Sequence, residues 1–252
     1  MRPLLSLKLL TLNLHNPSSR ALRPIADLLD ASGAELCVLT ECDEAATRRL
    51  GELLSCPGVA HAYAPYWGNG LLTRTLELES SGTIDLPRAT TGELRSAVEV
   101  EVRAPWGPLR VLGTHLEHLR EEDRLRQLRH LHGRADLESA VLLGDLNSLR
   151  RSDYTAERWE EIAEQRARAR LTAPAIEVTS ALFEELQLID AHDARVPGEP
   201  LAPTCPYGTR IDYICIGRAS GARPTPGSYR VLDAMGPGLT DHDAVLVELE
   251  PA

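Results

Sequence analysis

Acids, amides and histidines recur in this sequence at one kind of place, the end of an apolar run. Asn13 closes "LKLLTLN" and Glu41 closes "ELCVLTE"; Asn69 precedes "GLLTR" and His115 closes "LRVLGTH". Asp145 and Asn147 follow "AVLLG", Asp212 lies within "TRIDYICIG", and Asp241 and His242 lie within "LTDHDAV". Taken singly, each has a plainer explanation. Asn or Asp after a strand usually starts a turn, Glu41 would cap a helix over 43–53, and His115 with Glu117 and His118 would be a solvated loop. Asp212 resists this, because a carboxylate between Ile211 and Tyr213 needs a partner once buried.

Together the groups describe a reaction. Oxygen donors such as Glu41, Asp241 and Asn13 suit a hard cation, Mg²⁺ or Mn²⁺, whereas zinc would ask for more His or Cys. A histidine held by a carboxylate, as His242 by Asp212, keeps one orientation and is stabilised when charged. Asp145 beside Asn147 can orient a water and steady an oxyanion; two positions apart, they share a side on an extended chain. Such parts add up to metal-assisted hydrolysis of a phosphate ester.

Positioning them requires many strands. Strand-like runs fall at 6–13, 35–40, 70–74, 94–103, 109–115, 140–144, 211–216, 229–233 and 244–250. "AVEVEV" at 97–102 alternates apolar and acidic residues, the pattern of a strand with one wet face. Helices are expected at 20–31 after "NPSS", at 43–53, and at 121–135, where Glu121, Glu122 and Asp123 precede the arginines in the order that complements the helix dipole. Residues 153–170 and 176–187 read as two more. Without strict strand–helix alternation, the expected fold is α/β (α+β): two packed, mostly antiparallel sheets flanked by helices.

The 252 residues suit one domain spanning 1–252, and an apolar fraction of 43% is enough for a substantial core. A net charge of -10 argues against a protein that coats nucleic acid, though not against an enzyme that meets it briefly. Arginine carries nearly all the positive charge, because Lys8 is the only lysine. Five cysteines without a CxxC pair argue against a zinc site or a disulfide framework. The opening "MRPLLSLKLLTLNLHN" tempts a signal-peptide reading, but Ser6 and Lys8 interrupt the leucines and no cleavage site follows. A soluble cytoplasmic protein without membrane or obligate protein partner is expected.

In order, "TLN", "LTE", "GNGLLTR", "LRSAVEVEV", "GTHL", "GDLN", "RIDYI" and "TDHDAV" resemble the endonuclease/exonuclease/phosphatase superfamily with the DNase-I-like fold. The resemblance implies a four-layer αββα sandwich with a pseudo-symmetric pair of sheets. It implies that Glu41 is the principal metal ligand, helped by Asn13 and Asp241. Asp145 would orient or deprotonate the attacking water, and Asn147 and His115 would contact the phosphate. His242 would face the phosphate with Asp212 as its partner, and Arg95 would lie near the site. Thr40, Gly113, Asp243 and Ala244 depart from the family's frequent residues at flanking positions only.

On the substrate side stand Arg95, Asn69 and, just beyond the catalytic pair, Arg150 and Arg151, placed to grip a phosphate. The proline-rich loop 200–210 presents Tyr207, able to stack on a base, and Arg210; it reads equally as a stiff connection. Trp67 is either a lip of the pocket or core. The expected activity is a Mg²⁺- or Mn²⁺-dependent phosphodiesterase, foremost a nuclease on DNA or RNA. The alternative is a phosphomonoesterase on a small phosphorylated metabolite, inositol phosphate or lipid headgroup. A non-catalytic binding module is disfavoured, because the hydrolytic centre is complete.

Overall fold

The computed structural model describes residues 6–252. Residues 1–5 of the stretch weighed above as a signal peptide lie outside them. The strands among the described residues are β1 (Leu7–Asn13), β2 (Leu36–Thr40), β3 (Gly58–Ala62), β4 (Asn69–Thr73), β5 (Leu78–Asp85), β6 (Ser96–Ala104), β7 (Gly107–His115), β8 (Ala140–Asp145), β9 (Ile189–Asp190), β10 (Asp212–Ile216), β11 (Ala222–Pro224), β12 (Arg230–Leu232) and β13 (Ala244–Pro251). The helices are α1 (Leu22–Ser32), α2 (Glu44–Leu53), α3 (Glu121–Ala135), α4 (Ala156–Arg168) and a single turn, α5 (Glu177–Ser180).

One sheet runs β11-β13-β1-β2-β4-β3, with β12 beside β13; the other runs β5-β6-β7-β8-β10-β9. All pairings are antiparallel except β1 with β2 and β7 with β8. Each parallel pair is bridged by a helix, α1 or α3, as a parallel crossover requires. The sheets are therefore two copies of one plan. Between them lies an apolar layer including Leu9, Val38, Val111, Leu143, Ile214 and Val247. Outside, α1 and α2 cover the first sheet through Ile25, Leu29 and Leu50, and α3 covers the second through Leu128 and Leu131. The four layers are helix, sheet, sheet, helix, as expected.

Strand alternation decides what ends at the site. In β1, Leu7 and Leu9 face the inter-sheet layer and Leu10 and Leu12 face the helices, so Asn13 terminates the inner row. By the same count Asn69 starts the inner row of β4, His115 ends that of β7, Asp145 ends that of β8, and Asp212 starts that of β10. One rim of the inter-sheet core is thus polar.

The strands not foreseen are β3, β5, β9 and β11. Most of β5, "LESSGTID", is exposed and polar, and its ladder to β6 makes it a strand where no apolar pattern does. Of the helix expected over 176–187, only α5 is regular; it loosens into a π turn at Ala181–Glu185. No helix among the described residues is long and apolar enough to cross a membrane.

Gly144 lets β8 reach the rim. Its φ is 138°, and a Cβ there would be driven into the Thr114 carbonyl oxygen of the paired strand. Gly144→Ala is expected to cost about 3 kcal/mol of stability, measured by urea denaturation. A loss within about 0.5 kcal/mol, the range of innocuous substitutions, would contradict this account.

Candidate active site

The polar rim closes around one side chain. The Asn13 Nδ2 group donates to Glu41 Oε1 at 2.9 Å and to Asp145 Oδ2 at 3.1 Å, bridging the first sheet to the second. Its own oxygen accepts the His15 backbone N–H at 3.0 Å. That bond fixes the amide's orientation and leaves the oxygen's second lone pair for the metal or its waters. The two Nδ2 bonds orient both carboxylates. Asp241, the other expected helper, is partly exposed and pairs with His15 Nδ1 at 2.7 Å. It makes no bond to Glu41, although its charge, with burial, contributes to raising the Glu41 carboxyl above its usual range.

Asp145 and Asn147 do share a side, but through a turn. β8 ends at Asp145, Asn147 adopts φ 52°, and its backbone N–H donates to Asp145 Oδ1 at 2.9 Å. Glu41, the first residue after β2, also has a positive φ, at 50°. Such turns re-aim side chains that strand alternation alone would send elsewhere.

Burial and the neighbouring Asp212 carboxylate push Asp145 up to about 7. Burial alone would lower His242, but Asp212, 2.8 Å from its Nδ1, and Asp145 hold it up to about 11. His242 is therefore an imidazolium, with Nε2 3.9 Å from Asp145 Oδ2. Backbone bonds place this pair. The Thr204 hydroxyl accepts the Asp212 N–H, the Thr204 carbonyl accepts the Asp243 N–H, and the Thr240 hydroxyl donates to the Asn13 carbonyl. Neither threonine carries a motif that would have singled it out.

His115 is the opposite kind of histidine. Burial, then the adjacent Arg95, lower it well below its usual range. Arg95 Nη1 approaches His115 Nδ1 at 3.1 Å. A guanidinium can only donate, so Nδ1 accepts, and Nε2 lies 2.8 Å from Asn147 Nδ2. Arg95 itself is buried and lies 4.0 Å over the Trp67 ring, with Nη2 on Glu93 and His118. Trp67 is thus a wall of the site. Asn69 is buried, donates to the Ser96 carbonyl at 2.9 Å and leaves its side-chain oxygen without a partner.

The expected phosphate grip at 150, 151 and 210 is not what the structure places there. Arg210 is fully buried and bonds Asp190 and Asp153. Arg150 bonds Asp190 and Asp193 and covers the Phe183 ring. Arg151 donates to the Tyr154 carbonyl and lies over Trp159. Three aspartates outside the centre have claimed Arg150 and Arg210. Tyr207 is exposed, on the loop before Asp212.

The site tests well against a hard divalent cation. Glu41, Asp145 and Asp212 lie at one rim against a single charged imidazolium, and Asp212 Oδ1 is buried without a partner. Glu41, His115 and Asp145 offer ligand atoms within 4.8 Å of one another, as do Asp145, Asp212 and His242. Oxygen donors with excess negative charge suit such an ion.

A two-sheet hydrolase scaffold with this rim defines a class. A family model described as "Endonuclease/Exonuclease/phosphatase family" matches residues 10–242, and the chain belongs to that family. Members of the family are phosphoric ester hydrolases that use divalent metals. Among solved structures, the endonuclease/exonuclease/phosphatase from Beutenbergia cavernae DSM 12333 superposes with a TM-score of 0.72 at 21% identity, over 98% of this chain and 72% of that one. The mannosyl-6-phosphatase of Bacteroides thetaiotaomicron VPI-5482 gives 0.66 at 14% identity, over 96% and 99%. The human Nocturnin catalytic domain with bound sulfate gives 0.69 at 16%, over 98% and 94%. No curated protein matches the chain in sequence.

Arg210→Met is expected to cost about 3–5 kcal/mol of stability, because it strands two buried aspartates. Arg150→Ala, by the same reasoning, should affect stability before it affects the Michaelis constant. Unfolding curves compared with steady-state kinetics check both; a raised Michaelis constant at unchanged stability would return these arginines to the substrate.

Proposed function

We propose that the chain is a metal-dependent phosphodiesterase, foremost a nuclease that cleaves DNA or RNA by attack of water on phosphorus. The observation that carries this reading is the Asp212–His242 pair, with its charged Nε2 facing the Asp145 carboxylate that Asn13 ties to Glu41.

Glu41 would hold the cation, with Asp241 on the adjacent loop. Bound there, a divalent cation neutralises and polarises the phosphate. Asp145 orients the attacking water and accepts its proton, a task suited to a carboxylate whose affinity for protons is raised by burial. His242, kept charged by Asp212, donates from Nε2 to a phosphate oxygen as charge gathers there. The Asn147 Nδ2 amide adds a neutral donor beside it. Arg95 and Asn69 support the walls, Arg95 by holding His115 and Asn69 by tying β4 to the start of β6.

The charge balance favours a diester. A monoester dianion asks for more positive charge than a diester monoanion, and Arg150 and Arg210 are bound by aspartates. One structural neighbour is named a mannosyl-6-phosphatase, so a phosphomonoesterase is the second reading.

Asp145→Asn should keep the fold and lose at least about a hundredfold in kcat on a diester, with His242→Ala similarly impaired. Near-normal turnover in either would remove that residue from the mechanism. Glu41→Ala should shift the Mg²⁺ concentration for half-maximal activity upward; a wild-type titration curve would contradict the ligand assignment. On bis-p-nitrophenyl phosphate, plasmid DNA, RNA and p-nitrophenyl phosphate, diester cleavage abolished by EDTA is expected. Hydrolysis confined to the monoester would establish the second reading.

A further inference from the structure

Aromatic side chains are scarce in this chain, with six tyrosines, three tryptophans and one phenylalanine. Three of the tyrosines nevertheless stand in solvent: Tyr63 is 72% exposed, Tyr66 80% and Tyr207 67%. All three lie on loops that lead into the rim. Tyr63 and Tyr66 sit on the turn between β3 and β4, just before Asn69, and Tyr207 sits just before Asp212. Asn69 and Asp212 are counterparts in the two sheets, opposite Thr40 of β2 and Asp145 of β8 respectively. Open rings therefore stand on equivalent approaches at either side of the centre.

The pair at 63 and 66 borders a cleft of about 290 Å³, lined also by Asn16, Cys42, Asp43 and His61. The cleft is joined to the centre at Glu41. The Asn16 N–H donates to the Glu41 carbonyl at 2.7 Å, and the Cys42 N–H donates to the Gly68 carbonyl at 3.1 Å. Trp67, next in the chain, packs edge-on against His115. The turn is held in place: Asn16 Nδ2 donates to the Tyr66 carbonyl at 3.0 Å, and the Trp67 N–H donates to the Ala64 carbonyl. Tyr66 adopts φ 64°, a conformation a bulky residue keeps only when its surroundings impose it.

Part of the cleft's polar lining is engaged within the fold. His61 Nε2 bonds the Cys42 carbonyl, Asp43 Oδ1 accepts the Ala46 N–H, and the Asn16 amide holds Tyr66. No arginine or lysine lines the cleft. It therefore offers no cationic grip for a phosphate, and its largest exposed side chains are two tyrosine rings.

We propose that Tyr63 and Tyr66 form a stacking subsite for a nucleobase of a single-stranded nucleic acid, on the Glu41 side of the scissile phosphate. This rests on the phosphodiesterase reading above and extends it to a substrate class. Stacking accepts every base, so the subsite grips a strand without reading its sequence.

The test is fluorescence anisotropy in EDTA with two labelled oligomers of equal length, an oligothymidylate and an abasic oligomer with the same phosphates. Wild type should bind the oligothymidylate more tightly. Tyr63→Ala and Tyr66→Ala should each weaken that binding about tenfold, leave the abasic oligomer unchanged and unfold at the wild-type temperature. Tyr66→Phe should retain wild-type binding. Equal wild-type affinity for the two oligomers, or unchanged affinity in both alanine variants, overturns the subsite. So does displacement of the oligomer by mannose 6-phosphate that depends on the tyrosines, which would mark a sugar site. The hydrolase reading is judged separately by Mg²⁺-dependent cleavage of bis-p-nitrophenyl phosphate by wild type. Cleavage without base-dependent binding sinks the subsite alone; base-dependent binding without cleavage sinks the hydrolase alone.

Discussion

The side-chain amide of Asn13 holds the centre together. Its two N–H bonds reach Glu41 of the first sheet and Asp145 of the second, at sequence separations of 28 and 132. Two buried carboxylates that close repel each other and are costly to desolvate. A donor shared between them offsets part of that cost and sets their spacing. The rest of the rim is built outward from this bridge. Asn147 anchors Asp145 from one side, His242, held by Asp212, balances its charge from another, and the Asn13 carbonyl receives Thr240 from the loop that carries His242. Each of these depends on the two sheets meeting at a fixed distance. Gly113 helps set it, because a Cβ there would approach Val38 Cγ1 across the interface to 2.7 Å.

Much of this was legible before folding. Long apolar runs ended by Asn, Glu, His or Asp could be read directly, and the order of their motifs identified the fold. The alternation within each run explains why Asn13, Asn69, His115, Asp145 and Asp212 share one rim: they sit at the ends of inner-facing rows, and a positive-φ turn brings Glu41 to them. What could not be read was partnership. Nothing in the sequence near Arg210 marks Asp153 and Asp190 as its partners, 57 and 20 positions away. An arginine beside a catalytic motif therefore looked available when it was spent on the core. His15 and Asp241, 226 positions apart, were hidden in the same way. The edge strand β5 was missed for another reason, since its stability comes from the ladder to β6 and leaves no apolar signature.

The buried ion cluster also shapes how the site is charged. Arg210, Arg150, Asp190, Asp153 and Asp193 satisfy one another beside β9 and β10. A cluster of this kind adds little net stability over an apolar replacement, but it is costly to break. Here it has a second effect. By occupying the arginines nearest the "GDLN" turn, it leaves the rim negative, apart from His242 and the shielded Arg95. Such a rim favours a cation, in keeping with a chain of net charge -10.

The two sheets follow one plan, yet their rims are unequal. Asn13 of β1 corresponds to His115 of β7, Thr40 of β2 to Asp145 of β8, and Asn69 of β4 to Asp212 of β10. At each of these positions the first sheet carries an amide or a hydroxyl, and the second carries a carboxylate or an imidazole. The turn residues reverse the pattern: Glu41 follows β2 and Asn147 follows β8. The proposed division of labour follows from that inequality. The first sheet supplies a fixed charge for a cation and neutral donors to hold it in place. The second supplies the base, the histidine kept neutral by burial and Arg95, and Asp212, which holds His242 on the loop before β13. A symmetric rim, with either set on both sides, would have had too much negative charge or nowhere to put a proton.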